Sequence, residues 1–513
     1  MNNYIEIREN AYLDSVTLML LSRKLIDVEG IPNANVSMGT DHNKSILKMN
    51  DFASSEIDNA GPNDLIIAFS YEYEETKVQA MKVMEDHFNQ STGMDDDEEY
   101  SPHSLEMALK IQPDSNLALI SVPGENAAYE TEKCLEKNMN VMIFSDNMDI
   151  NEEKRLKQLA REKGLLVMGA DCGTAIINGK PLAFANCVRK GDIGIVGASG
   201  TGIQEISVAV HKLNKGISQA IGTGGRDLSL EIGGITMLSG LEALMADPET
   251  KVIILVSKPP AKEVAVKLLE KIKETEKPVV VHFIGGNATE VEKYGGIFSE
   301  TMEEAAVKAC KCLDDSITDE FFSKQIDIDK TAKQEIEKYS PEQKYLRGLY
   351  TGGTLCKEAI LMLHKKIGVY SNIPLEKDYR LKDSKKSEKN TIIDLGEDEF
   401  TKGRPHPMID PASRAERILQ EGDSKDLRVI LLDVVLGYGS HEDPAGAIVD
   451  SIKKVQEKYK EDGKHISVIA SICGCEEDPQ VYTEQLKKLE DINVIVPPTN
   501  AQAVKLTEKL MDL

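Results

Sequence analysis

No apolar run in this 513-residue chain approaches the roughly 18–20 residues that a bilayer-spanning helix needs, so no membrane anchor is expected. The opening residues, MNNYIEIREN, lack the basic-then-apolar pattern of an export signal, which points to the cytoplasm. Positive charge is scarce as well. With 86 acidic against 61 basic side chains the net charge is −25, a field that repels nucleic acid and anionic membranes and does not steer acidic ligands inward. An anionic substrate must therefore be captured by local structure. The eight cysteines are too scattered for a secreted disulfide scaffold. The pairs Cys310/Cys312 and Cys473/Cys475 lack a second Cys or His pair at ligand spacing, so no metal is expected.

What is present, 41% hydrophobic residues over this length, suffices for three or four domains of roughly 100–150 residues each. Residues 1–100 read as a small α+β module with strands at 4–8, 35–38 and 65–69. The acidic run Asp95–Glu99 marks a linker. Residues 101–190 alternate strands at 117–122, 141–144 and 165–168 with helical stretches, a Rossmann-like pattern. A second parallel unit fills 191–325, with strands at 193–196, 252–256 and 279–283. Residues 326–410 read as a connector, with one helix after Gly352–Thr354 and a charged, aperiodic stretch at 377–390. A third unit, 411–513, repeats the arrangement of 251–312. The expected fold is α/β and multidomain: the small module, a Rossmann-like domain and two flavodoxin-like lobes.

Two segments share one design, an apolar strand running into a glycine-rich loop that opens a helix: DIGIVGASGTG at 192–202 and VILLDVVLGYGSHEDPAGA at 429–447. A helix start leaves N–H groups unpaired and carries about half a positive charge, so each can cradle phosphate without a basic side chain. The candidate phosphate ligands are Ser199, Gly200, Thr201 and Gly202 in the first loop and Gly439 and Ser440 in the second. The second loop has a plainer reading, with Asp443 as N-cap and Pro444 at the first helical position. His406 lies between Pro405 and Pro407, where it could serve as acid or base or cap a rigid turn.

The segments MGADCG (168–173), GDIGIVGASGTG (191–202), IGTGGRD (221–227) and the helix around Glu242 followed by ADPET (246–250) occur in the order seen in the α subunit of succinyl-CoA synthetase, which residues 117–285 resemble. Residues 411–513 resemble the C-terminal domain of its β subunit. With SKPP (257–260), GLYTGGTL (348–355) and GRPHPMIDP (403–411), the whole chain is similar to the FdrA family.

The resemblance implies that two facing helix starts, at Ser199–Gly202 and near Tyr438–Gly446, grip a phosphate, and that Glu242 matches the glutamate that partners a phosphohistidine. The histidine is missing: after FIGG (283–286) the chain reads NATEVEKYGGIF. The glycine-rich loop that serves CoA in the synthetases is also missing before Leu117, and no ATP-grasp domain is present.

From the FdrA family the expected activity is that of one subunit in a heteromeric oxamate carbamoyltransferase, oxalurate plus phosphate giving carbamoyl phosphate and oxamate. Inorganic phosphate is the co-substrate and CoA has no evident site. Arg226, Glu242 and His406 form the expected catalytic set, with Arg226 neutralising charge in the transition state; paired with Asp227 at the surface, Arg226 would instead be structural. Two other classes remain open: an acyl-CoA synthetase joining acid to thiol, and a noncatalytic scaffold that binds an anion.

Overall fold

The computed structural model describes residues 2–8, 11, 15–50, 52–61, 64–92, 102, 104–402 and 404–512. The acidic run Asp95–Glu99 lies outside the described residues. The chain divides into two compact units: residues 1–115 with 121–126 and 402–405, and the remainder.

In the first unit, β1 (Asn2–Arg8), β2 (Asn33–Met38) and β3 (Leu65–Tyr71) form an antiparallel sheet in the order β1-β3-β2. The central strand, LIIAFSY, is buried along its whole length because both faces are covered. Leu65, Ile67 and Phe69 pack with Leu18, Leu21 and Leu25 of helix Ser15–Ile26 and Ala80 and Met84 of helix Glu74–Thr92. The alternate residues Ile66 and Ala68 meet Leu47, Phe52 and Ile57 on the opposite face.

The second unit holds three sheets. A parallel one joins β4 (Leu117–Ile120), β5 (Asn140–Ile143) and β6 (Val167–Met168). The largest comprises β7 (Thr174–Ile177), β8 (Lys180–Ala183), β9 (Lys190–Gly197), β10 (Ile217–Gly222), β11 (Val252–Ser257), β12 (Val279–Phe283) and β13 (Ile297–Phe298), in the order β13-β12-β11-β9-β10-β7-β8. Its β9 to β13 portion is parallel, and β7 and β8 extend it antiparallel. The third sheet, also parallel, runs β15 (Thr391–Asp394), β14 (Tyr345–Tyr350), β16 (Leu427–Val435), β17 (Ser467–Cys473). A bridge from Ile469 to Ile495 adds a fifth position.

The two larger sheets therefore share one topology. In each, the first strand (β9, β14) lies between the second (β10, β15) and the third (β11, β16), so the strand order reverses beside the first strand. Ligands of open α/β sheets bind at the carboxyl ends of the strands at such a reversal.

This pairing corrects the expected domain limits. Residues 326–410 are not a connector: they contribute β14 and β15, the first two strands of the C-terminal lobe. The strand at 429–435, expected to open that lobe's cradle, is instead its third strand and corresponds to β11. Likewise β7 and β8, within the expected Rossmann-like segment 101–190, belong to the sheet of β9.

One continuous apolar core unites the two lobes. It takes Ile203, Ile206 and Val210 from helix Gly200–Lys212, Met302 and Ala306 from helix Met302–Lys311, Leu355 and Ile360 from helix Gly353–Ile367, and Val504 and Leu510 from helix Asn500–Met511. Burying these four helices between the sheets fixes the first strands of the lobes relative to each other, and with them the helix starts that follow.

Candidate functional site

Helix Gly200–Lys212 begins directly beyond β9 and helix Gly353–Ile367 directly beyond β14, and their first turns touch. Ser199 caps the first: its Oγ accepts the Gly202 N–H at 3.1 Å. A Cβ on Gly202 would lie 2.5 Å from that Oγ, so a side chain there would force the cap to shift. The same hydroxyl is hydrogen-bonded to Thr354 Oγ1, while Thr201 Oγ1 accepts the Thr354 N–H at 3.3 Å. Two helix starts, each with about half a positive charge, are thus stitched together by three hydroxyl side chains.

The loop before the second helix is fixed from below by Asp433 on β16, which accepts the N–H of Thr351 at 2.9 Å and of Gly352 at 2.7 Å and the Thr351 hydroxyl at 3.1 Å. Arg414, buried on helix Ala412–Glu421, pairs with the Asp433 carboxylate at 3.2 Å.

Asp394, the last residue of β15, is buried and faces the start of the Gly353 helix. A Cβ placed on Gly353 would sit 2.6 Å from Asp394 Oδ2 and 3.7 Å from Lys258 Nζ. Burial pushes the Asp394 carboxyl up to about 7, with Lys258 opposing and Glu397 and Asp433 assisting. Lys258, at the end of β11, is half exposed and stands 3.9 Å from Glu397. Asp171, raised to about 6 by burial and by Asp146, is held back by the Lys258 charge.

His406 joins this group. A Cβ on Gly396 would lie 2.5 Å from its Nε2 and 3.2 Å from Asp394 Oδ1, so both groups surround that glycine. Burial pushes the imidazole down to about 4, leaving it neutral at pH 7, and the Met408 N–H donates to Nδ1 at 3.2 Å. The neutral ring therefore carries its proton on Nε2.

The other candidates are engaged by partners of their own, although the Arg226 charge, like that of Lys258, is felt by Asp171. At the second expected cradle, Gly439, at φ +77°, packs on Phe184, Tyr438 N–H donates to the Ala185 carbonyl, and the Ser440 hydroxyl has no hydrogen-bond partner among the described residues. Helix Gly446–Glu461 has its anion position filled by Asp443, whose Oδ1 accepts the Gly446 N–H at 3.1 Å and pairs with Lys488 at 2.8 Å. Arg226 is held by Glu153 at 2.7 Å and by the Met148 carbonyl at 2.8 Å. Its neighbour Asp227 is a buried brace, paired with Lys157 at 2.7 Å and accepting N–H bonds from Thr236 and Met237. Glu242 pairs with Arg161 at 3.0 Å and Lys271 at 3.1 Å, away from the facing helix starts.

Sequence reasoning missed Gly353, Thr354, Asp394, Asp433 and Lys258. The signal was a repeat of strand, hydroxyl residue and glycines, ASGTG after β9 and YTGGT after β14, obscured by a register one strand too late.

One three-donor group exists among the described residues: His211, Cys475 and Glu477, with ligand atoms within 4.8 Å. The Arg189 N–H donates to His211 Nδ1 at 3.0 Å, which puts the proton of the neutral ring on Nε2, where it meets Glu477 at 3.2 Å. That nitrogen offers no lone pair to a metal.

Family models match three stretches: CoA-ligase at residues 349–510, CoA binding domain at 188–285, and the AllF heavy metal-associated domain at 1–102. The first covers the lobe that opens with the Gly353 helix, and the second covers the Gly200 helix rather than the segment before Leu117. No cysteine precedes Cys134, so the stretch matched by the third model offers no thiolate ligand. Uncharacterized protein YahF of Escherichia coli (strain K12) is 42% identical over 100% of this chain and 99% of its own length. The mitochondrial succinate–CoA ligase [ADP-forming] subunit alpha-2 of Trichomonas vaginalis is 29% identical over 36% of this chain, which spans 60% of that subunit. A solved dinucleotide-forming acetyl-coenzyme A synthetase 1 of Ca. Korarchaeum cryptofilum, in complex with phosphate and ADP, covers 78% of this chain and 82% of its own at 16% identity, with a TM-score of 0.32.

These matches correct the expected carbamoyltransferase: the ligase and CoA-binding models, together with the succinate–CoA ligase relative, place the chain with acyl-CoA ligases and not with transferases. It belongs to the FdrA family, as a fusion of succinyl-CoA synthetase-like parts behind an AllF-type N-terminal module.

Proposed function

We propose that this chain carries the acyl-phosphate half of an acid–thiol ligation, in which acyl phosphate and CoA give acyl-CoA and phosphate. The CoA sulfur bonds to the acyl carbon, the carbon–oxygen bond to phosphate breaks, and the thiol proton ends on the departing phosphate. The observation that carries this reading is the contact between the starts of the Gly200 and Gly353 helices, joined through Ser199, Thr201 and Thr354. Together they offer about one positive charge to a dianion, without requiring that the anion bring its own counter-ion. Lys258 adds a full charge at the rim. With no histidine in the loop after Phe283, the phosphate is held directly and not on a swinging side chain. The nucleotide chemistry that makes the acyl phosphate is assigned to a partner subunit.

Calorimetric titration of the full chain with inorganic phosphate, and separately with CoA, tests this. Both should bind. Gly200→Asp, which adds a negative charge to the first turn, should weaken phosphate on the order of a hundredfold. Phosphate binding indifferent to Gly200→Asp removes the helix-start site, and absence of CoA binding removes the ligase reading.

A further inference from the structure

Asp394 has a feature that stability does not explain. Its Oδ1 accepts the Gly396 N–H at 2.9 Å, and its main chain is clamped by Asn372, whose Oδ1 accepts the Asp394 N–H at 3.0 Å and whose Nδ2 donates to the Asp394 carbonyl at 2.9 Å. Oδ2, by contrast, carries no hydrogen bond among the described residues and is aimed at Gly353, the first residue of the helix whose start meets Thr201 and Ser199. The residue is buried, yet this oxygen is left as an acceptor with no donor, open to a further partner beside the helix start.

We propose that Asp394 takes up a proton when a tetrahedral anion binds between the two helix starts, and that Oδ2 then donates this proton as a hydrogen bond to the anion. The proposal rests on the anion site described above and adds the group that makes it proton-linked.

Ionised, Asp394 competes with the anion for the same helix dipole and repels it across a short, poorly solvated gap. Protonated, it becomes a donor where an acceptor now stands. The charges around it leave it poised between these states. Lys258, beyond β11, and the Gly396 N–H favour the ionised form; burial, Glu397 in the next loop and Asp433 on β16 favour the neutral one. Arg414 is engaged with Asp433, His406 is neutral, Cys356 is held protonated by burial, and Lys357 on the Gly353 helix donates to the Ile373 carbonyl. The carboxyl near 7 is accordingly within reach of the field of a dianion, which tips it to the neutral form. In the acyl-transfer step the same proton can be returned to the departing phosphate while Asp394 receives one from the thiol, so the site ends as it began.

Sulfate is the probe, because it stays a dianion from about pH 5.5 to about pH 8.5 and any pH dependence of its binding belongs to the protein. The full chain should bind sulfate with an affinity that falls about tenfold per pH unit above neutrality. Asp394→Asn, which mimics the neutral form, should bind with a nearly flat profile. Independently of any variant, titration near pH 8, where the free carboxyl is mostly ionised, in two buffers of different ionisation enthalpy should count close to one proton taken up with sulfate. Binding without proton uptake, or an unchanged slope in Asp394→Asn, overturns the role of Asp394 and leaves the anion site standing. Absence of sulfate and phosphate binding at every pH overturns the anion site, and this inference with it.

Discussion

At Gly353 a hydrogen atom stands where any side chain would press on Asp394. A methyl group there would lie 2.6 Å from Oδ2, so the carboxyl group must swing away from the helix start or the helix must shift. Gly353→Ala should therefore weaken phosphate at least about tenfold, while the helix itself gains from the better helix former and thermal stability hardly changes. Calorimetric titration and a melting curve on the same preparation check both halves. Arg226 shows the converse at the same scale. An arginine beside paired glycines reads as an anion ligand, but Glu153, Met148 and the Lys157–Asp227 brace come from helix Ile150–Glu162 and its approach, far along the chain, and they decide where the guanidinium points. Ser199 needed no such help, because its partner Gly202 is three residues away.

At the scale of elements, helices Met302–Lys311, Gly353–Ile367 and Asn500–Met511 converge between the lobes. Glu358 sits there, accepting the Met302 N–H and the Asn500 side-chain amide, each at 2.8 Å, with Glu205 and Glu303 near. Burial raises its carboxyl to about 7, the two hydrogen bonds opposing and the two neighbouring glutamates assisting. The folded value exceeds the unfolded one, so the folded chain holds the proton more tightly; this stability is complete below about pH 4.5 and is lost as pH rises through 7. The wild-type free energy of unfolding should fall by about 2 to 3 kcal/mol from this group between pH 5 and pH 8. Glu358→Gln should remove most of that slope, whatever its effect on stability at pH 5. Denaturant titrations at the two pH values compare the slopes directly. The strands of this region were legible as apolar runs, but their order was not. A parallel strand reads much the same whether it is first or third in its lobe, and only the pairing of β14 with both β15 and β16 shows which glycine-rich loop lies at the reversal of strand order.

On the scale of the whole molecule, the two compact units separate the AllF-type module from the ligase-like body. A ligand held by the body stabilises it by mass action. Phosphate at a hundred times its dissociation constant should add about 2.7 kcal/mol to the body's unfolding free energy, raising that transition in differential scanning calorimetry. The same concentration should raise it much less in Gly200→Asp. The sequence by itself determined the α/β class, the alternation of strands and helices and the first helix start, because these depend on residues that are neighbours in the chain: apolar runs, Ser199 three places before Gly202, glycines after β9. The partner of that helix start was decided only by tertiary structure. Thr354, Asp394, Lys258 and His406 lie far apart in sequence. They meet because two sheets of equal topology bury four helices between them, which brings the carboxyl ends of β9, β11, β14 and β15 to one place. The charge states of Asp394 and His406 follow from the same burial, which no local pattern of residues records.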